Sequence, residues 1–247
     1  MNVAPFVRPP VRAVFFDVDF TLIYPGPTFQ GEGYRAFCAQ HGIDVNPSAF
    51  TRAVLSAAHI LDSADKRVYD AEIFVRYTRH IIERMGGTGE TLDACAREIY
   101  AEWATNHHFN LYDDVGPVLR SLKDLGVQVG LISNSHRCLA SFQAHFELGD
   151  LVSAAVSSSD HGFMKPHESI FRAAMQLVGA RPSESVMVGD SVRQDIEGAL
   201  ASGMSAVFLH RGDQSHPRQR RLAERGVPTI ASLAELPVLL ASRMPGA

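Results

Sequence analysis

The sequence predicts an α/β protein in which an all-helical domain interrupts a Rossmann-like core built on a parallel sheet. After residue 112, short apolar segments alternate with helical stretches, a pattern typical of strands that helices cover on both faces. Between residues 28 and 110, apolar residues instead recur at helical spacing, and no segment there indicates a strand. We therefore predict a core domain formed by residues 1–21 and 113–247, with an inserted helical domain over residues 22–112.

The first predicted strand covers residues 11–17, which are almost wholly apolar. In the inserted domain, Asn46-Pro47 supplies the N-cap and the first position of a helix. Gly86-Gly87 ends a later helix. The helices of this domain carry aromatic side chains at helical spacing, and we assign these to the packed core. They are Phe74, Tyr77, Tyr100 and Trp103.

The core resumes after the inserted domain with alternating elements. The predicted strands cover residues 127–133, 151–157, 185–190 and 205–210, and a weak strand is expected near 227–231. The predicted helices cover residues 115–125, 136–147, 167–178 and about 192–202, and each of three ends at a glycine: Gly126, Gly179 and Gly203. The Arg-rich segment 211–225 is expected to be exposed, as a solvated face.

The composition is that of a globular protein without a strongly basic surface. Of 247 residues, 46% are hydrophobic and 20% charged, and the net charge of −4 argues against a nucleic-acid partner. The first residues lack the pattern of a signal peptide, and no apolar stretch approaches the ~20 residues of a membrane span. The three cysteines are widely spaced, which argues against a disulfide framework. We therefore predict a cytoplasmic protein with no membrane partner.

Polar side chains follow the predicted core strands at the points where these strands end. Ligands of parallel sheets bind outside the carboxyl ends of the strands, so these groups are expected to converge. They are Asp17, Asp19 and Thr21 after the first strand, Ser133 and Asn134 after the second, Lys165 before a later helix, and Asp190 and Asp195 near the fourth.

Carboxylates that converge in this way repel one another and are costly to desolvate. A hard divalent cation relieves the repulsion, and oxygen ligands favour Mg²⁺. A carboxylate beside Mg²⁺ and a lysine stays ionised and could attack phosphorus, while a second carboxylate could serve as acid and then base. Ser133 and Lys165 could hold phosphoryl oxygens, as could the amides at helix starts.

These residues occur in an order that resembles the haloacid dehalogenase superfamily. The matching motifs are DVDFT at 17–21, Ser133 at the end of LIS, Lys165 in MKP, and GDSVRQD at 189–195. The overall layout is similar to the capped members of this superfamily that are REG-2-like or phosphoglycolate-phosphatase-like. The resemblance implies that the inserted helical domain is a cap over the active site, and that the substrate is a small phosphorylated metabolite.

The resemblance also implies a mechanism that centres on Asp17. Asp17 attacks the substrate phosphorus to form an aspartyl-phosphate, and Asp19 protonates the leaving alcohol and then activates water. Mg²⁺ is held by the Asp17 carboxylate, the Asp19 backbone carbonyl and the Asp190 carboxylate. Asp195 supports the metal site through a bound water or through Lys165.

The remaining motif residues are expected to bind the phosphoryl group or to shape the loops around it. Ser133 binds a phosphoryl oxygen, and Lys165 offsets the negative charge of Asp17 and the phosphate. Thr21 fixes the loop around Asp17. Asn134 either donates to a phosphate oxygen or caps the following helix, and its residue type does not choose between the two.

Three alternatives to a phosphatase share the same core. A phosphomutase would transfer the phosphoryl group, but sugar-phosphate mutases of the superfamily usually carry glycine where Phe20 stands. A non-catalytic module that binds a phosphorylated metabolite would be expected to lack one of the motif residues, and none is missing. A dehalogenase would lack the acid at the position of Asp19.

The leaving-group contacts cannot be read from these motifs. Tyr24, Phe29 and the turn Gly86–Gly89 are candidates, whereas His136 is expected to lie on the surface in the first turn of a helix. The apolar helices of the inserted domain could also form the face of a homodimer.

Overall fold

The computed structural model describes residues 10–62, 68–212 and 217–241. A six-stranded parallel sheet forms the centre of the fold. Its strands are β1 (Ala13–Phe16), β4 (Gln128–Ser133), β5 (Ala154–Ser157), β6 (Ser185–Gly189), β7 (Ser205–Leu209) and β8 (Thr229–Ile230). They lie in the order β5-β4-β1-β6-β7-β8, and every neighbouring pair is parallel. The predicted fold class is therefore confirmed.

Each central strand is buried on both faces because it separates two hydrophobic layers. Along β1, Val14 and Phe16 pack into one layer, and Ala13 and Phe15 pack into the other. This is the alternation that a strand imposes on successive side chains. All four residues are fully buried, which explains why the sequence of this strand is apolar throughout.

The core helices are α5 (Val115–Asp124), α6 (Leu139–His145), α7 (Ser158–His161), α8 (Glu168–Leu177), α9 (Gly198–Ala201), α10 (Pro217–Glu224) and α11 (Leu236–Leu240). The helix predicted at about 192–202 is wrong in type over its first half, because Val192–Glu197 form a π-helix that precedes α9. Such wider turns are rare and often occur at functional sites. None of the helices within the described residues is long and apolar enough to cross a membrane.

The inserted block contains α1 (Gly31–Gln40), α2 (Phe50–Asp62), α3 (Ala71–Arg84) and α4 (Leu92–Glu102). It also contains strands, which the sequence did not predict there: β2 (Ile23–Pro25) pairs antiparallel with β3 (Phe109–Leu111). This ribbon joins the points where the chain leaves and re-enters the core. Three-residue strands are too short for a period-2 pattern to be visible in the sequence.

The expectation that the whole Arg-rich segment 211–225 is exposed is wrong at Arg211 and at the buried Leu222, and the side chains of residues 213–220 lie outside the described part of the chain. Arg211 is only partly exposed, donates two hydrogen bonds of 2.9 Å to Asp114, and donates another of 3.1 Å to the Thr21 carbonyl oxygen. Its guanidinium also lies 3.8 Å from the centre of the Tyr112 ring. Arg211 thereby ties the loop that follows β1 to the segment that re-enters the core.

Candidate active site

Asp17 and Asp190 lie side by side because each directly follows one of two paired strands, β1 and β6. Lys165 reaches the same point from the loop before α8. Its ammonium group donates hydrogen bonds to Oδ1 of Asp17 at 2.5 Å and to Oδ1 of Asp195 at 2.7 Å. The Lys165 side chain is only 1% exposed, so its charge is held within the protein at these two carboxylates.

Carboxylate oxygens of Asp17, Asp190 and Asp195 lie within 4.8 Å of one another. Burial, with the charge of Asp17 as a further cause, raises the pKa of Asp195 to about 6 although Lys165 opposes the change. Desolvation and then the charges of Asp17 and Asp195 raise the pKa of Asp190 well above its usual value. One lysine therefore does not neutralise this cluster, and a divalent cation would complete its charge balance.

Lys165 itself stays protonated in this environment. Burial acts to lower the pKa of its ammonium group, but the charges of Asp17 and Asp195 outweigh burial and raise that pKa above its usual value. The charge of Lys165 is thus constant over the pH range in which the neighbouring carboxylates titrate.

The Asp19 side chain is not part of the carboxylate cluster and contacts Arg137. Nη2 of Arg137 donates a hydrogen bond of 3.0 Å to Oδ1 of Asp19. Burial raises the pKa of Asp19, whereas the positive charge of Arg137 opposes that rise. A carboxyl group with a raised pKa can carry a proton nearer to neutral pH, as a general acid must.

Arg137 was not singled out from the sequence, yet its side chain is fully buried. Besides Asp19, it donates a 3.2 Å hydrogen bond to Oδ1 of Asn106, and its guanidinium lies 4.3 Å from the centre of the Phe109 ring. Among the described residues, its Nε has no hydrogen-bond partner. Asn106 and Phe109 belong to the segment that returns from the inserted block, so Arg137 connects that segment to Asp19.

Ser133 is fully buried at the end of β4, and its hydroxyl is 2.8 Å from that of Ser135. Ser135 lines the cavity beside the carboxylates and was not predicted as a site residue. Thr21 is also fully buried, and its hydroxyl has no hydrogen-bond partner among the described residues. The carbonyl oxygen of Thr21, rather than its hydroxyl, contacts Arg211.

Asn134 holds the loop that carries Lys165. Its Nδ2 donates to the Lys165 carbonyl oxygen at 3.0 Å and to Oε1 of Gln194 at 3.1 Å, and its Oδ1 accepts from the Lys165 amide at 2.7 Å. The side chain caps no helix, because α6 begins only at Leu139 with Cys138 as its N-cap. Asn134 therefore fixes the backbone of Lys165 from both sides.

Gly189 lies so close to the Asp195 side chain that a residue larger than glycine does not fit at position 189. A Cβ atom at position 189 would lie 2.3 Å from Oδ2 of Asp195, far inside contact distance. That oxygen accepts a 2.9 Å hydrogen bond from the Ser191 amide, while Oδ1 accepts from Lys165. Asp195 is thus held at both oxygens, and it fits its predicted supporting role through Lys165.

Phe20 has a left-handed backbone conformation, with φ of 63°. Non-glycine residues adopt this conformation uncommonly, and often at functional sites. The conformation lets the Phe20 amide donate to the Ile23 carbonyl oxygen at 2.7 Å. The ring is 46% exposed and lines the cavity near Trp103.

A cavity of about 710 Å³ opens beside Asp17, Asp19 and Asp190 and extends to the inserted helices. The four aromatic residues assigned from sequence to the packed core all line this cavity. Tyr77, Tyr100 and Trp103 also pack against the buried core, as predicted, whereas the assignment is corrected for Phe74. A helical repeat marks a covered face but does not say whether protein or a cavity covers it.

The leaving-group candidates chosen from sequence lie elsewhere. Tyr24 packs against Tyr112 with ring centres 4.8 Å apart and the rings tilted by 45°, and Phe29 is buried against Trp103. The turn Gly86–Gly89 follows the far end of α3, beyond Arg84. His136 is not a surface residue: it lines the cavity, its ring centre is 4.2 Å from that of Tyr100, and burial lowers its pKa.

Comparison with known proteins places the chain in a family context. Residues 11–203 match the family model of haloacid dehalogenase-like hydrolase. The chain is 28% identical over 213 residues to glyceraldehyde 3-phosphate phosphatase of Methanopyrus kandleri, covering 82% of this chain and 85% of the relative. It is 29% identical over 250 residues to human N-acylneuraminate-9-phosphatase, covering 94% of both chains.

The fold is also similar to solved structures. The putative hydrolase YfnB of Bacillus subtilis, solved bound to magnesium, superposes with a TM-score of 0.70 at 15% identity, over 94% of this chain and 99% of the other. At this identity the likeness supports the fold alone.

Proposed function

The chain belongs to the haloacid dehalogenase-like hydrolase family, and we propose that it is a Mg²⁺-dependent phosphatase that hydrolyses the phosphomonoester of a small metabolite through Asp17. The observation that carries this proposal is the contact of Lys165 with Asp17 at the edge of a cavity that also contains Asp19 and Asp190. The relatives named above are phosphatases of two phosphomonoesters, which supports the same reaction class.

The residues present fit a magnesium ion. The cluster of Asp17, Asp190 and Asp195 offers only oxygen ligands, as Mg²⁺ prefers, and carries more negative charge than Lys165 balances. Asp17 and Asp190 would hold the ion with the Asp19 carbonyl oxygen, since Lys165 and Ser191 already occupy both oxygens of Asp195. When bound, the ion would supply positive charge to the phosphoryl oxygens.

In the proposed mechanism, Asp17 is the nucleophile. Its carboxylate attacks the substrate phosphorus to form an aspartyl-phosphate, and the bond from phosphorus to the alcohol oxygen breaks. Lys165 orients the Asp17 carboxylate, because its ammonium group donates to Asp17 and is fixed by Asp195 on the other side. Lys165 also offsets the negative charge that builds up on the phosphoryl oxygens.

Asp19 is the general acid and base of the proposal. Its raised pKa lets the carboxyl group give a proton to the leaving alcohol oxygen. The resulting carboxylate then takes a proton from the water that attacks the aspartyl-phosphate, which returns Asp17 to its starting state. Ser135, just after β4, lines the cavity, where its hydroxyl can bind a phosphoryl oxygen, and the buried hydroxyl of Ser133 lies 2.8 Å from it.

The test is phosphate release from a panel of small phosphomonoesters, with Mg²⁺ or with EDTA. We expect release to require Mg²⁺ and to fall by about a thousandfold or more in Asp17→Asn. Asp124→Asn is the matched control, because Asp124 is an exposed residue at the end of α5, and it should behave as wild type. Full activity in EDTA, or in Asp17→Asn, would contradict the proposal.

Mass spectrometry of enzyme taken from the same reactions separates a phosphatase from a phosphomutase. A mutase would form a phosphorylated Asp17 that resists water and passes its phosphoryl group to a second alcohol. Acid-quenched enzyme is therefore examined by mass spectrometry for the aspartyl-phosphate. We expect the modified peptide only transiently during turnover, and an intermediate that persists after substrate is exhausted would favour the mutase.

A further inference from the structure

The inserted block lines the cavity with an apolar wall. Its side chains come from the helices of the inserted block: Val54, Leu55 and Leu61 of α2, Ile73 and Phe74 of α3, and Trp103 after α4. We call these six residues the apolar wall. Since Asp17 and Asp19 line the same cavity, a phosphomonoester with its phosphorus at Asp17 projects its alcohol portion toward this wall.

Two pairs of hydroxyl groups on the inserted block are hydrogen-bonded within each pair. The Tyr100 hydroxyl is 2.5 Å from the hydroxyl of Tyr69. The Tyr34 hydroxyl is hydrogen-bonded to the side chain of Thr78, and burial raises the Tyr34 pKa so that the phenol stays neutral. These hydroxyls therefore satisfy each other rather than wait for the hydroxyls of a substrate.

The polar groups that a substrate can meet lie on the core. They include His136, whose buried Nε2 has no hydrogen-bond partner among the described residues. Ser135, Arg193 and Gln194 line the cavity beside the carboxylates, where the phosphate would bind. The cavity thus has a charged lining on the core and an apolar wall on the inserted block. Its volume of about 710 Å³ lies within the ~300–1,000 Å³ of small-molecule sites, so it has room for more than a phosphate group.

We propose that the preferred substrates are phosphomonoesters of apolar alcohols, alkyl or aryl, rather than of compact polyols. The inference rests on the proposed phosphatase function and narrows its substrate class. Each methylene buried against the apolar wall strengthens binding about fourfold. A polyol hydroxyl in the same place loses its water without gaining a partner, which weakens binding about 5- to 150-fold.

A series of primary alkyl phosphates tests the proposal, because ethyl, butyl and hexyl phosphate have leaving groups of nearly equal acidity and differ mainly in apolar length. We expect kcat/KM to rise about fourfold per added methylene until the cavity is full. Glycerol phosphate, which carries hydroxyls in place of the extended alkyl chain, should be hydrolysed at least about fivefold less efficiently than butyl phosphate, which is the lower bound set by one unpaired hydroxyl.

Binding is measured separately from turnover with alkylphosphonates of the same lengths, whose carbon–phosphorus bond is not an ester. Their affinities, determined calorimetrically with Mg²⁺ present, should rise with chain length in the same way. The phosphonates report on the apolar wall even when catalysis fails. The phosphatase function and the preference for apolar alcohols can therefore be tested independently.

Two substitutions in α2 examine the wall itself. Ala58 lines the cavity, and Ala58→Phe should fill it, which abolishes the gain in affinity from butyl- to hexylphosphonate. Ala94→Phe is the matched control on the exposed face of α4 and should keep that gain.

Val54→Thr adds a hydroxyl with little change of shape and should reduce the ratio of hexyl to ethyl affinity about fivefold or more. Val238→Thr is its control, at a position 80% exposed on α11.

Each outcome shows whether the apolar-substrate inference or the phosphatase function is contradicted. Affinities that are flat or fall with chain length, or a glycerol phosphate that is preferred over butyl phosphate, overturn the apolar-substrate inference even when phosphate is released efficiently. Affinities that rise with length, combined with no phosphate release from any ester, support the apolar wall and contradict the phosphatase. Unchanged chain-length dependence in Ala58→Phe overturns the assignment of the wall to α2.

Discussion

Arg137 and Asp19 are 118 positions apart in the sequence, and they form a 3.0 Å hydrogen bond in which Nη2 of Arg137 donates to Oδ1 of Asp19. The arginine is fully buried and the Asp19 side chain is 19% exposed, so the charge pair is only weakly screened by water. If Asp19 is the general acid and base, Arg137 is a positioning residue: it fixes the direction of the carboxyl group and moderates its pKa.

We expect Arg137→Met to lower kcat by about tenfold or more, because general acid–base catalysis depends on the placement of the proton donor. The variant should also shift the limbs of the pH–rate profile that report Asp19 to higher pH. The sign follows from charge: Arg137 favours the ionised carboxylate, so its removal raises the pKa of Asp19. Steady-state rates measured across pH test both expectations.

Two further variants separate positioning from mere structural support. Asn106→Ala removes another partner of Arg137 without touching Asp19, and it should leave the pH profile in place. Arg137→Lys keeps the charge and should recover part of the shift. A pH profile that is the same in Arg137→Met and wild type would show that Arg137 serves stability alone.

The close approach of Gly189 to Asp195 gives a steric prediction. Gly189→Ala should reduce stability by about 1–3 kcal/mol, because the added methyl group overlaps a carboxylate that Lys165 and Ser191 hold in place. Displacement of Asp195 also releases Lys165, so we expect activity to fall. Gly149→Ala is the control, since no atom lies within 4 Å of a Cβ there. Equal thermal midpoints for the two variants would refute the overlap.

Much of the fold and of the candidate site could be predicted because local sequence carries the signal. Strands buried on both faces are continuous apolar runs, and residues at their carboxyl ends meet at one edge of the sheet. This reasoning brought together Asp17, Lys165, Asp190 and Asp195, which the structure also brings together. The resemblance to the haloacid dehalogenase superfamily is confirmed by the family match.

What could not be predicted depends on partners that are distant in sequence. Arg137 resembles an ordinary helix-flanking arginine until Asp19 and Asn106 meet it in three dimensions. Arg211 was placed on the surface because its partner Asp114 is 97 positions away. The roles of the site residues, the boundaries of the cap and the homodimer remain predictions.

The carboxylate cluster gives a prediction about magnesium that needs no turnover. Asp190→Asn should raise the thermal midpoint of the metal-free protein, because it removes one of three mutually repelling carboxylates. The same variant should lose the stabilisation that Mg²⁺ gives wild type, which is about 2.7 kcal/mol at a hundred times the Kd. Midpoints are measured by calorimetry with EDTA and with increasing Mg²⁺.

The control for this experiment is Asp113→Asn, which removes the same charge from an exposed position outside the cluster. It should respond to Mg²⁺ as wild type does. Undiminished stabilisation of Asp190→Asn by Mg²⁺ would exclude Asp190 as a ligand.

Asp114 links the re-entering segment to Arg211 and to the C-terminal part of the chain. Its carboxylate accepts hydrogen bonds from Arg211, from the Ser232 hydroxyl at 2.7 Å and from the Leu233 amide at 2.9 Å. Burial alone would raise the pKa of Asp114, but these donors outweigh burial and lower it. A carboxyl group with a lowered pKa stabilises the fold above its unfolded pKa of about 3.9, and that contribution is lost as pH falls through the folded pKa.

We therefore expect Asp114→Asn to be less stable than wild type by about 2–3 kcal/mol near neutral pH, as is typical when hydrogen bonds to a charged group are weakened. The difference should shrink below about pH 4, where the wild-type carboxylate also becomes protonated. Urea denaturation at a series of pH values measures it, with the exposed neighbour variant Asp113→Asn as the control. A difference that stays constant down to the lowest pH would mean that Asp114 contributes through shape rather than charge, because an uncharged contribution does not titrate.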